Sequence, residues 1–151
     1  MFTPLSSSWT PTLRSVLRFV VGLLFVVHGT QKLFGIPVPS PGGPVDLESL
    51  MGIAGVIEVV GGTLLFVGLF TRPMAFLLSG EMAVAYFMQH APRGFWPLVN
   101  GGELAVLYCF IFLFFAAAGA GPISLDAWIG SRRSHLGHAP LPPPHPASRH
   151  V

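Results

Sequence analysis

The sequence predicts an all-α integral membrane four-helix bundle with both termini cytoplasmic. Three observations carry that prediction. Mean hydropathy is +0.68. Of 151 residues, 52% are hydrophobic and only 9% charged, where soluble domains are about a quarter charged. The apolar residues gather in four stretches long enough to approach a hydrocarbon core of about 30 Å, divided by turns rich in proline, glycine and arginine. The charges inside those stretches are few: a polar stripe on the first and one glutamate on each of the others.

The net charge of +2 does not point to nucleic acid, because the basic residues are dispersed and form no stripe interleaved with aromatics. Cys109 is the single cysteine, so neither an intrachain disulfide nor C-x-x-C chemistry is available, and it reads as a small apolar filler.

Residues 1–12 form a Ser/Thr/Pro-rich disordered or interfacial lead, with Trp9 suited to the membrane interface. The first span runs from about Leu13 to Phe34, roughly 30 Å at 1.5 Å per residue. Its apolar centre, Phe19 to Val27, follows Arg14 and Arg18 and also fits a cleaved secretory signal. Cleavage would leave three helices without the polar stripe of His28, Gln31 and Lys32, which share one face at the end of this span.

Ile36 to Ser49 is a Pro/Gly loop, and Met51 to Phe70 is a second span whose only charge is Glu58. Gly55 and Gly62 share the face of Glu58 and serve close helix packing. Thr71-Arg72-Pro73 is a turn, and Pro73 to His90 is the third span, with Glu81 near its middle. After a loop containing Phe95 and Trp96, the fourth span runs from about Val99 to Ala120, with Asn100 and Glu103 on one face. Gly121-Pro122 ends it, and Ser124 to Ile129 suits a short interfacial helix capped by Ser124. The four-helix domain thus covers 13–130. Residues 131–151 form a Pro/His-rich cytoplasmic tail expected to be disordered. Its four histidines, His135, His138, His145 and His150, are too irregularly spaced for a defined metal site.

Basic residues set the orientation. With the N-terminus inside, Arg14, Arg18, Arg72, Arg132, Arg133 and Arg149 are cytoplasmic, and only Lys32 and Arg93 face the other side. His28, Lys32, Glu58, His90 and Glu103 then lie in the outer half of the bilayer, with Glu81 about midway. Charge in hydrocarbon costs several kcal/mol unless it is partnered, so these groups are expected to form one buried cluster.

That cluster predicts a ligand site made from His28, Gln31, Lys32, Glu58, Glu81, Asn100 and Glu103. Glu58, Glu81 and Glu103 are the candidates for proton-accepting, catalytic groups. No metal is expected. A di-iron site needs Glu-x-x-His on its helices, and the residues three after these glutamates are Gly61, Val84 and Val106. Haem ligation by His28 and His90 rests on two histidines alone. No phosphate loop, H-E-x-x-H or nucleophile motif appears, and no cofactor is evident in the chain.

Several short motifs occur in order: His28-Gly29-x-x-Lys32-Leu33-x-Gly35, Glu58-x-x-Gly61-Gly62, Gly68-Leu69-x-Thr71-Arg72, and Glu81-Met82 with Ala85. Asn100-Gly101-Gly102-Glu103 and Gly119-x-Gly121-Pro122-x-Ser124-Leu125-Asp126 complete the set. Over about Leu13 to Gly130 the chain resembles the DoxX family, while the loop Pro37 to Pro44 and the tail have no counterpart in that resemblance. The resemblance implies four transmembrane helices in the bacterial cytoplasmic membrane. It also implies a link to membrane oxidoreductase complexes, since the family takes its name from a small subunit of thiosulfate:quinone oxidoreductase. The expected function is therefore a membrane subunit of an oxidoreductase system that binds a quinone or small oxidisable molecule and works with a partner subunit in the lipid bilayer. A small-solute or proton transporter and a purely structural membrane bundle are the alternatives.

Overall fold

The computed structural model describes residues 9–39, 42–43 and 45–136, and every regular element among them is helical. The expectations of disorder for the lead and the tail fall, for residues 1–8 and 137–151, outside the described residues. Helix α1 is Trp9–Phe34, α2 Leu50–Val67, α3 Thr71–Ala85, α4 Pro97–Asn100, α5 Glu103–Ala118 and α6 Leu125–Leu136. Between α3 and α4 the chain continues through one π-helical turn, Tyr86–His90, and one 3-10 turn, Ala91–Arg93.

The bounds depart from the sequence expectation where local chemistry intervenes. Helix α1 begins at Trp9, taking in part of the expected lead. Helix α2 is capped by Ser49, whose Oγ accepts from the Gly52 N–H at 3.0 Å. It ends earlier than expected because Gly68 adopts φ +72°. The Gly68 N–H donates to Leu65 O and the Leu69 N–H to Leu64 O, a Schellman ending that a Cβ at this position would strain.

The expected fourth span is broken near its start. Gly101 takes φ +73°, and the Asn100 side chain accepts the Gly102 N–H at 2.8 Å, so the helix stops and restarts at Glu103. Helix α6 starts, as expected, on Ser124, whose Oγ accepts from the Ala127 N–H at 3.1 Å. It runs on to Leu136, into the stretch read as tail.

Helices α1 and α2 pair antiparallel at backbone contact. A Cβ at Gly22 would lie 2.8 Å from Phe66 Cα, one at Gly29 2.8 Å from the Val59 nitrogen, and one at Gly62 3.0 Å from the Val26 nitrogen. Small residues two turns apart on each helix therefore set this approach. Helix α3 packs on α5, and α2 against α3 joins the two pairs. The core is filled by Val21, Phe25, Leu65, Leu78, Phe112 and Phe115, with the Phe25 and Phe112 rings edge to face at 4.7 Å. Outward, all four long helices expose large apolar side chains, among them Leu24, Val60, Phe76 and Phe110, the surface of a protein whose solvent is lipid. By length and composition, α1 and α2 are each able to cross a membrane.

Arg18, which precedes the apolar centre of the first span, turns inward. It is fully buried. Its Nε donates to Ala120 O at 2.9 Å, its Nη2 to Ile123 O at 2.6 Å, and its Nη1 to Leu65 O and Phe66 O. Arg14 Nη1 caps Ala118 O at 2.7 Å, so two arginines of α1 serve the carbonyl ends of α2 and α5. Asp126 accepts the N–H groups of Phe70 and Thr71 at 2.9 and 3.0 Å, which caps the start of α3. The motifs around Gly68–Arg72 and Gly119–Asp126 thus meet in one polar knot.

Arg18→Met keeps much of the volume but strips four carbonyls of their donor, at about 1–3 kcal/mol for a group left buried and unpaired. The expected loss is on the order of 3 kcal/mol, read as a fall of several degrees in the thermal midpoint of the protein in detergent. Arg18→Lys should recover only part of it, because an ammonium lacks the planar fork. An unchanged midpoint for Arg18→Met would contradict this role.

Candidate functional site

At the opposite end of the bundle the glycine contact brings the polar stripe of α1 onto α2. A Cβ at Gly55 would crowd Leu33 and lie 3.4 Å from the Lys32 Cβ, so glycine makes room for the stem of Lys32. Lys32 Nζ then reaches Glu58 Oε1 at 2.6 Å. Glu58 is 2% exposed, and the pair is a charge-assisted hydrogen bond largely removed from solvent.

A cavity of about 190 Å³ lies beside this pair, lined by Phe25, His28, Lys32, Glu58, His90 and Tyr108 among others. Buried Tyr108 comes from α5, with its ring edge-on to His28 at 6.0 Å and stacked on Phe112 at 5.6 Å. Its phenol was not singled out from sequence, although it is the one hydroxyl in the apolar run of α5. His90 ends the π-helical turn, where its Nδ1 lies 3.2 Å from Asn100 O and its ring stacks on Tyr86. π-Helical turns of this kind are frequent at functional sites.

A larger open groove of about 730 Å³ runs between α2 and α3, lined by apolar residues such as Ile53, Ile57, Leu77 and Val84, together with Glu81. It shares Lys32, Met82, Ala85 and His90 with the inner cavity. Both carboxyl oxygens of Glu81 are buried and, among the described residues, have no hydrogen-bond partner. The same holds for Glu58 Oε2. Lys32, which holds Glu58 at 2.6 Å, also lines this groove together with Glu81.

The remaining expected site residues fall elsewhere. Glu103 is exposed, in a separate depression with Pro97, Leu104 and Phe110, and does not join the cluster. Asn100 is buried, but its side chain is engaged with Gly94 O at 2.8 Å, the Tyr86 hydroxyl at 3.3 Å and the Gly102 N–H, so it shapes the loop and does not face the cavity. Gln31 is half-buried on the same end of α1. Among the described residues no group of three or more His, Cys, Asp or Glu side chains is arranged to hold a metal ion.

The arrangement offers an ammonium, two imidazoles, a phenol and unpaired carboxyl oxygens around a space the size of one ring, since a cavity of about 150 Å³ holds benzene. Such a set can orient a small polar ring and exchange protons with it.

The DoxX family model matches residues 13–91. An uncharacterized protein of Haemophilus influenzae is 48% identical over 122 residues, covering 78% of this chain and 91% of the relative. The Inner membrane protein YphA of Escherichia coli is 30% identical, covering 77% and 89%. A Bacillus subtilis protein named "Putative oxidoreductase CatD" is 28% identical, covering 76% and 84%. No solved structure gives a significant match.

The Lys32–Glu58 pair yields a direct test. Lys32→Met deletes the cation, and Glu58→Gln should then cost clearly less stability than it does alone, with a coupling of about 0.5–3 kcal/mol in a double-mutant cycle. Additive losses, measured by unfolding in detergent, would show that the two do not act as a pair.

Proposed function

The chain belongs to the DoxX family of membrane proteins, and from that membership and the cavity we propose that it is a four-helix membrane subunit of a quinone-linked oxidoreductase system. In this reading α1, α2, α3 with its π-helical turn, and α5 cross the bacterial cytoplasmic membrane. The termini and the arginine-rich knot lie on the cytoplasmic side. The Lys32–Glu58 end lies in the outer half of the bilayer.

The observation that carries the proposal is the junction of two spaces. The inner cavity is ring-sized and polar, and the adjoining groove is apolar and open between α2 and α3. A quinone headgroup fits the first, and its isoprenoid chain suits the second. Lys32 and Tyr108 would orient the ring oxygens, while Glu58 and Glu81 would take or return protons. When bound, a quinone supplies a two-electron, two-proton couple, and a partner subunit supplies or receives the electrons. The printed name of the Bacillus subtilis relative supports an oxidoreductase setting. A bundle whose polar groups served only to hold helices together would satisfy them mutually, and the unpartnered oxygens of Glu58 and Glu81 speak against that alternative.

Mass spectrometry of lipid extracts from the purified protein should reveal a co-purifying quinone. Tyr108→Phe with His28→Leu should deplete it several-fold without loss of the folded protein. Extracts with no quinone enriched over bulk lipid would defeat the proposal.

A further inference from the structure

Resting on that quinone reading, we infer that the site holds the reduced, hydroxyl-bearing member of the quinone pair in preference to the oxidised one. The reason lies in the buried polar atoms left without partners. Glu58 Oε2 and both oxygens of Glu81 are buried and accept no hydrogen bond from the described residues, while the other oxygen of Glu58 is occupied by Lys32 Nζ at 2.6 Å. All three are acceptors.

Glu58 lines the cavity of about 190 Å³, and a ring that fills it from the groove side is positioned to bring the donors these oxygens lack. A hydroquinone brings two O–H donors. A quinone brings two carbonyl oxygens, which can accept from Lys32 or Tyr108 but leave the carboxyl oxygens bare and face them with like partial charge. Leaving a buried charged acceptor unpaired is the costly case, and sites built to hydrogen-bond a hydroxyl discriminate strongly against the analogue that lacks it. A proton resident on Glu81 would add one donor, yet Glu58, paired with Lys32, would still present Oε2 as an acceptor. Glu58 lines the inner cavity from α2, and Glu81 lines the adjoining groove from α3.

The preference has a redox consequence. Each tenfold by which the reduced form binds more tightly raises the two-electron potential of the bound couple by about 30 mV, making the bound quinone a better electron acceptor than the free one.

The test uses the full chain in lipid nanodiscs under anaerobic conditions. Binding of a short-chain benzoquinone and of its hydroquinone is measured by calorimetry. The hydroquinone should bind about tenfold tighter or more. Glu81→Gln replaces an acceptor oxygen by a donating amide and leaves the Lys32–Glu58 pair intact, so it should narrow or reverse the preference. Glu58→Gln should do the same, with the thermal midpoint confirming that each variant is folded. Equal or tighter binding of benzoquinone to the unaltered protein, or a preference that both variants leave unchanged, overturns the inference while the quinone reading stands. If neither form binds, the quinone reading falls as well.

Discussion

The ion pair between Lys32 and Glu58 exists because α1 and α2 touch backbone to backbone. Taking two charges out of water costs several kcal/mol per ion, and only close, well-formed geometry recovers it. Helices usually pack 8–10 Å apart, kept there by their side chains. Gly22, Gly29, Gly55 and Gly62 remove those spacers, which lets a lysine near the end of one helix reach a glutamate inside the other at 2.6 Å. The cavity follows from this contact, since its walls include both partners and the residues that face them from α3 and α5.

The two ends of the bundle treat charge differently. At the Arg18 end the guanidinium donates to four carbonyls, and the Asp126 carboxylate accepts two amides. Polar networks satisfied in this way make a structure rigid and unique. At the Lys32 end one carboxyl is half-paired and the other, among the described residues, has no hydrogen-bond partner. Local rules broken in an otherwise consistent fold are expected at functional or strained sites.

Much of this was legible in the sequence, because lipid leaves few choices. The stripe of His28, Gln31 and Lys32 and the single glutamate of α2 were read as members of one polar cluster, and the structure joins Lys32 to Glu58. Glu103 was misplaced for a physical reason. An unbroken helix from Val99 would put Asn100 and Glu103 on one inward face, but the left-handed Gly101 and the Asn100 cap restart the helix at Glu103. The new phase turns Ala105, Tyr108, Phe112 and Phe115 inward and Glu103 outward. The burial of Arg18 was not legible because its partners are backbone carbonyls more than forty positions away, and carbonyls leave no mark in a sequence.

Those distant partners bear on how the protein enters its membrane. Arg18 lies in α1, while two of its acceptors, Ala120 O and Ile123 O, lie 102 and 105 residues further along the chain. At about 5–20 residues per second, roughly 5–20 s of synthesis separate the arginine from the carbonyls that complete its shell. During that interval its charge must be sheltered by water or headgroups at the membrane surface. The Arg18 end of the bundle can therefore close only after Ile123 has been made.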